Sequence, residues 1–165
     1  METFRLSSNG WQMYKTLRLE ALREDSHVFS GSYKESSQRS DDEWKKKVSD
    51  ARKHIIFAQN SEEIMGMAAA YQEEGEKVKH IAHIWGVYLK KAYRNNENFR
   101  KLIEALLNDL TAKNEVEKVN LTINTTEKDA IELYEKLGFE IIGTLRKELK
   151  IGDTYHDEYL MEKFI

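Results

Sequence analysis

The clearest period in the chain lies over 99–110, where Phe99, Leu102, Ile103, Leu106, Leu107 and Leu110 recur at i, i+3, i+4, i+7, i+8 and i+11. Polar residues fill the gaps, so the pattern predicts an amphipathic helix over 98–112 with one face in a core. A second stripe of Trp11, Tyr14, Leu17, Ala21 and Leu22 predicts a helix running to about Arg23. Asn9 is its expected cap, with Gln12 three residues on. A third stripe is Ala130, Leu133, Tyr134 and Leu137, with Thr126 as cap, Asp129 three residues on and Gly138 just past the end.

The remaining apolar runs are short and rich in β-branched and aromatic residues. "TFRLSS" predicts a first strand. "HIIFAQ" (54–59), "EEIMGMAAAYQEE" (62–74) and "KVKHIAHIWGVYL" (77–89) predict three consecutive strands, with "NSE" and Gly75 in the turns between them. "EKVNLTIN" (117–124) is a further strand. "FEIIGTLRKELKIGDTYHDEYLMEKFI" (139–165) reads as a closing hairpin turned at "GD". The polar stretch "SHVFSGSYKESSQRSDD" reads as a long loop before a short helix around Glu43–Ala51. The order β-α-α-β-β-β-α-β-α-β-β implies an α/β (α+β) fold, a mixed, mostly antiparallel sheet flanked by helices. With no internal repeat or linker, residues 1–165 read as one domain.

Composition narrows the chemistry. A net charge of -3 gives no global positive field toward nucleic acid or anionic membranes, and the basic cluster at 44–54 is local. The chain has no cysteine, which excludes thiol nucleophiles and thiolate metal sites. His80 and His83 point to opposite faces of a regular strand, which argues against a metal pair. No apolar run approaches the ~20 residues that span a bilayer, and the N-terminus lacks an apolar signal core. The expected location is the cytoplasm.

One stretch combines these signals. In "YRNNENFRKLIEALL" (93–107) a strand feeds directly into a helix, so backbone N–H groups lack partners at the helix start, a natural place for an anion. Such connections are usually made from glycine. This one is made from asparagines and a glutamate.

With the elements in order, three segments resemble the GNAT superfamily of acetyl-CoA-dependent N-acetyltransferases. They are "FSGSYKES", "HIWGVYLKKAYR" and "LTINTTEKDAIELYEKLGFEIIGTLRKELKIGDTYHDEYLMEKF", so the likeness spans nearly the whole chain. It implies that the fourth and fifth strands splay at a bulge, with Gly86 as the bulge residue, and that the arm of acetyl-CoA inserts along Val87, Tyr88 and Leu89. The family's pyrophosphate loop carries Arg or Gln, two residues, Gly, one residue, then Gly or Ala, with a further Gly often after the Arg. Arg94 is kept, while Asn95, Glu97 and Phe99 stand where glycines are expected. The resemblance makes Arg94, Asn95, Asn96, Glu97, Asn98 and Phe99 the phosphate loop. Asn95 and Asn96 tolerate the left-handed backbone that glycine supplies elsewhere. Glu97 is an anion where the cofactor's phosphates are expected.

The resemblance also makes Tyr134 the proton donor to the CoA sulfur, and brings Asn124 and Glu127 to the cofactor arm, Glu127 standing where the family often has Asn. His83, on the fourth strand with Ile81 and Trp85, is a candidate base, although a lone strand histidine also reads as structural. Glu20 and Glu35 are further base candidates. Tyr33, Glu35 and Tyr155 are expected to line an acceptor pocket. The expected acceptor is a small-molecule amine or a protein amino group, with no metal, nucleic acid or membrane partner, and the resemblance allows a homodimer. Two readings stay open: an acetyltransferase, and a binding or regulatory protein of the same fold with weakened cofactor binding.

Overall fold

The computed structural model describes residues 1–112 and 115–165. Seven strands form one sheet in the order β1-β2-β3-β4-β5-β7-β6. They are β1 (Glu2–Arg5), β2 (Lys53–Gln59), β3 (Ile64–Gln72), β4 (Ile81–Leu89), β5 (Lys118–Asn124), β6 (Glu140–Ile151) and β7 (Thr154–Phe164). Every neighbouring pair is antiparallel except β4 and β5. The helices are α1 (Trp11–Glu24), α2 (Tyr33–Ser37), α3 (Asp41–Ser49), α4 (Asn96–Thr111) and α5 (Lys128–Lys136). The mixed, mostly antiparallel α/β architecture expected from the strand and helix order is the one found. No helix of the described residues is long and apolar enough to cross a membrane.

Strand alternation divides the interior into two cores. Ile56 and Ala58 of β2 face Leu102, Ile103, Leu106 and Leu110 of α4. Ile55 and Phe57 face Tyr14 and Leu17 of α1 and Trp44 of α3. Burying each such large side chain stabilises the fold by roughly 1.5–3 kcal/mol, which is why these helices lie flat on the sheet. Gly138, at φ +86°, closes α5 in the left-handed conformation that a helix-ending glycine supplies. Gly152, at φ +60°, and Asp153 make the expected two-residue turn between β6 and β7.

Several local expectations are corrected. Asn9 lies inside a short 3₁₀ turn, Ser8–Gly10, and Gly10 precedes α1, which has no side-chain cap. The polar stretch after α1 contains α2, because the Ser32 hydroxyl accepts from the Glu35 N–H and starts a turn of helix there. α3 begins earlier than expected, at a capping box between Ser40 and Glu43. Thr126 does not cap α5, since its N–H and hydroxyl both donate to Asn124 Oδ1. Ile131 joins the buried face of that helix.

The bulge in β4 falls at Trp85. Ala70 pairs with Ile84 and Ala69 with Gly86, so Trp85 is the extra residue and Gly86 keeps a partner. The inserted residue reverses the alternation, which is its consequence for the site. Before it, Ala82 and Ile84 face the α4 core. After it, Val87 and Leu89 face that core, while Tyr88 turns to α1.

Candidate active site

β4 and β5 pair only from Ile81 to Ile84 and from Lys118 to Leu121. Beyond that, each stays bonded to its outer neighbour, β4 to β3 as far as Leu89 and β5 to β7 as far as Asn124. The centre of the sheet therefore opens where the bulge reverses β4, leaving the inner backbone edges of both strands without each other. Two cavities occupy this opening, an inner one of ≈ 310 Å³ and an outer one of ≈ 370 Å³. They share Val28, Phe29, Val87, Phe99, Glu127 and Ala130 as walls and so form one groove.

The outer cavity gathers Tyr88, Leu89, Arg94, Asn95 and Asn96 with Asp25. The loop needs no glycine conformation here. Asn95 is extended at φ -152°, and its Oδ1 accepts the Asn98 N–H at 2.8 Å, capping α4. Asn98 Nδ2 in turn donates to the Tyr93 carbonyl. Neither Asn95 nor Asn96 has a positive φ. The Arg94 guanidinium donates to the Leu89 carbonyl and to the Asp25 carboxylate, and stands 5.6 Å from the Tyr88 ring. Glu97 is paired with Lys101 one turn along, which holds its carboxyl below the usual range. It faces a separate depression with Arg100 and Lys136.

The inner cavity brings together His83, Asn124, Tyr134 and Glu158. Tyr134 is buried between the edges of Phe99 and Phe139, with ring centroids at 5.5 and 5.4 Å, and burial pushes its hydroxyl pKa up. Phe99 therefore contributes a wall and a packing surface for that ring. His83 stacks on Tyr71 at 5.0 Å, and its Nε2 lies 3.0 Å from a Glu73 oxygen. Asn124 is 2% exposed, and its Nδ2 lacks a hydrogen-bond partner among the described residues.

Three expected acceptor residues lie apart from the groove walls. Tyr33 and Glu35 are exposed on α2, and Tyr155 is exposed on β7 beneath Lys147 and Lys150. Glu20 accepts the Tyr88 hydroxyl at 2.9 Å, which gives it a structural task. Two buried charged residues absent from the expected set stand in or beside the groove. Glu158, on β7 opposite Asn124, is 7% exposed in the inner cavity, and burial raises its carboxyl pKa. Arg18 sits on the buried stripe of α1, where a charge breaks the apolar pattern.

The comparisons agree with this architecture. A solved GNAT-family acetyltransferase from Streptococcus pneumoniae superposes with TM-score 0.85 at 22% identity, over 99% of each chain. A ribosomal-protein-alanine N-acetyltransferase from Brucella melitensis gives 0.82 at 16%, over 100% of both chains. A Salmonella typhimurium protein solved with its cofactor acetyl-CoA gives 0.82 at 12%, over 99% of this chain and 93% of that one. No curated protein sequence matches the chain. The acetyltransferase (GNAT) family profile matches residues 16–139, most of the chain, including both splayed strands, the α4 entrance and Tyr134. The protein belongs to the acetyltransferase (GNAT) family.

Proposed function

We propose that the protein transfers the acetyl group of acetyl-CoA to a primary amine by direct attack, the amine belonging to a small molecule or a protein. The observation that carries this reading is the opening between β4 and β5, with Tyr134 and His83 in the same inner cavity. Acetyl-CoA, when bound, supplies an acetyl group activated as a thioester. The residues suit it. The buried, unpartnered Asn124 Nδ2 suits an amide carbonyl of its arm. The inner edge of β4 along Val87, Tyr88 and Leu89 suits backbone pairing, with Glu127 on the opposite wall. Arg94 and the first turn of α4 suit its phosphates.

An amine must be neutral to attack. His83 Nε2 stands 3.0 Å from a Glu73 carboxylate oxygen and Tyr71 holds the ring face, so Nδ1 is assigned as the atom that takes the amine proton. As the C–N bond forms and the C–S bond breaks, the Tyr134 hydroxyl gives its proton to the leaving sulfur. Burial keeps that hydroxyl protonated and also disfavours a sulfur anion beside it, so the proton moves where charge would otherwise collect. The nitrogen loses a second proton as it becomes an amide, and that proton restores the Tyr134 hydroxyl through solvent while His83 passes the first to bulk water, so one proton is released per acetyl transferred.

A second reading, a binding or regulatory protein of the same fold, is favoured by one observation. Asn95 Oδ1 already caps α4, and Asp25 already holds Arg94, so side chains occupy positions that phosphates would use. Thermal unfolding with acetyl-CoA, paired with an acetyl-transfer assay, separates the two. Ligand at ~100 times its Kd adds about 2.7 kcal/mol of stability under the first reading. No shift at millimolar acetyl-CoA overturns it.

A further inference from the structure

Arg18 lies on the buried face of α1 and is only 7% exposed. Its Nη1 has no hydrogen-bond partner among the described residues. The guanidinium carbon is 4.5 Å from the Phe29 ring centroid and 5.2 Å from that of Trp85. Backbone comes close as well, since a Cβ added at Gly86 would meet Nη1 at 3.5 Å and one at Gly31 would meet Nη2 at 3.5 Å. Phe29, Trp85 and Gly86 are also walls of the inner cavity. The cation is therefore one side chain behind the chamber that holds His83 and Glu158.

Among the described residues no carboxylate forms an ion pair with it. The groups acting on it are Tyr14, whose hydroxyl is pushed up to about 12 by burial and so stays neutral, and Arg39, a second cation. Lys47 stands in the same field, its ammonium pushed down by burial and by Arg39, Lys53 and Arg18. Aromatic faces return part of what a guanidinium loses on leaving water, but they do not replace its hydrogen bonds or neutralise its charge. A carboxylate from outside the chain meets the remaining need with charge-assisted hydrogen bonds. The other end of the chamber has the opposite character, with the Glu158 carboxyl and the Glu73-held His83.

We propose that the acceptor is a small amino-acid-like molecule, its amine directed to His83 and Glu158 and its carboxylate to Arg18 as the Phe29 ring moves off the guanidinium. The proposal rests on the acetyltransferase reading for the reaction and is independent of it for binding. It excludes polyamines as preferred acceptors, because a second cation would meet Arg18.

The test compares L-alanine, β-alanine and L-glutamate with alaninamide, β-alaninamide and spermidine, by thermal shift and by acetyl transfer. In the wild-type protein at least one carboxylate-bearing amine raises Tm where its amide does not, and kcat/KM favours it by about tenfold or more. Arg18→Met removes that preference through KM and leaves the acetyl-CoA shift intact, and Arg18→Lys retains part of it. Amides or spermidine binding or reacting as well as the acids overturn the proposal, as does an absence of any carboxylate-dependent shift or a preference that survives in Arg18→Met. Should Arg18→Met not fold, the wild-type preference and Arg18→Lys decide. A carboxylate shift that depends on Arg18 without any acetyl-CoA shift upholds this site and overturns the reaction.

Discussion

The guanidinium of Arg94 is paired with the carboxylate of Asp25, a residue 69 positions earlier in the chain, at the mouth of the groove. The partner fixes the arginine and also places a negative charge where phosphates would arrive. Asp25→Asn removes that charge and releases Arg94 for a ligand. Acetyl-CoA affinity is expected to rise by about three- to tenfold, with a steeper dependence on salt. Arg94→Ala is expected to weaken it. Isothermal titration of both variants checks this, and unchanged affinity in both would remove Arg94 from the phosphate loop.

Tyr134 packs as an aromatic, and the proposed mechanism also makes it a proton donor; the two tasks separate by substitution. Tyr134→Phe keeps the ring between Phe99 and Phe139, so stability and acetyl-CoA affinity are expected to hold. The transfer rate is expected to fall by about 10²-fold or more, the usual scale of a lost general acid. Tyr134→Ala also empties the packing site and is expected to cost about 3–5 kcal/mol. A Phe variant with the wild-type kcat would end the assignment.

The contrast between α4 and Arg94 shows what could be read from residue order. The stripe from Phe99 to Leu110 declares its helix because one side of it must be buried whatever it packs against. The same holds for the turn at Gly152, whose backbone demand is local. Arg94's partner depends on where the end of α1 comes to rest beside β4, which no spacing encodes. Trp85 illustrates a middle case. Gly86 marked the neighbourhood of the bulge, yet which residue is extra depends on registration with Ala69 and Ala70. Thr126 resembled a cap and became a donor to Asn124, because a buried amide oxygen was within reach. Tyr33, Glu35 and Tyr155 are exposed and lie outside the groove walls, a placement set by how their elements pack rather than by residue order.

Glu158 gives the groove a signature in pH. Burial raises its carboxyl above the usual range; the Glu148 charge adds to the shift and the Thr122 hydroxyl opposes it. The folded protein thus keeps this proton to a higher pH than the unfolded chain. Between the unfolded and folded values the native state binds more protons, so stability falls as pH rises. The contribution is complete below the unfolded value and lost above the folded one. Glu158→Gln keeps a neutral side chain of the same shape, so its Tm is expected to exceed wild type at mildly alkaline pH. That advantage should shrink as pH drops below the ordinary carboxylate range. A Tm difference that does not change with pH would contradict this account.

Asp109 of α4 joins the helix to the far side of the sheet, away from the groove. Its Oδ2 lies 2.6 Å from Nδ1 of His54, which is 3% exposed on β2, and its Oδ1 accepts from Arg5 of β1 at 3.1 Å. One carboxylate thereby anchors α4 across two strands. Asp109→Ala removes at once the contact to the buried His54 ring and the bond from Arg5, and is expected to cost about 1–3 kcal/mol. Asp109→Asn, which can still accept a hydrogen bond, is expected to lose less. Because Asp109 is not a groove wall, the folded fraction of either variant should bind acetyl-CoA as wild type does. Urea unfolding with parallel titration checks both parts, and a loss of affinity in the folded variant would mean that the seating of α4 on β2 sets the geometry of the loop at Asn95.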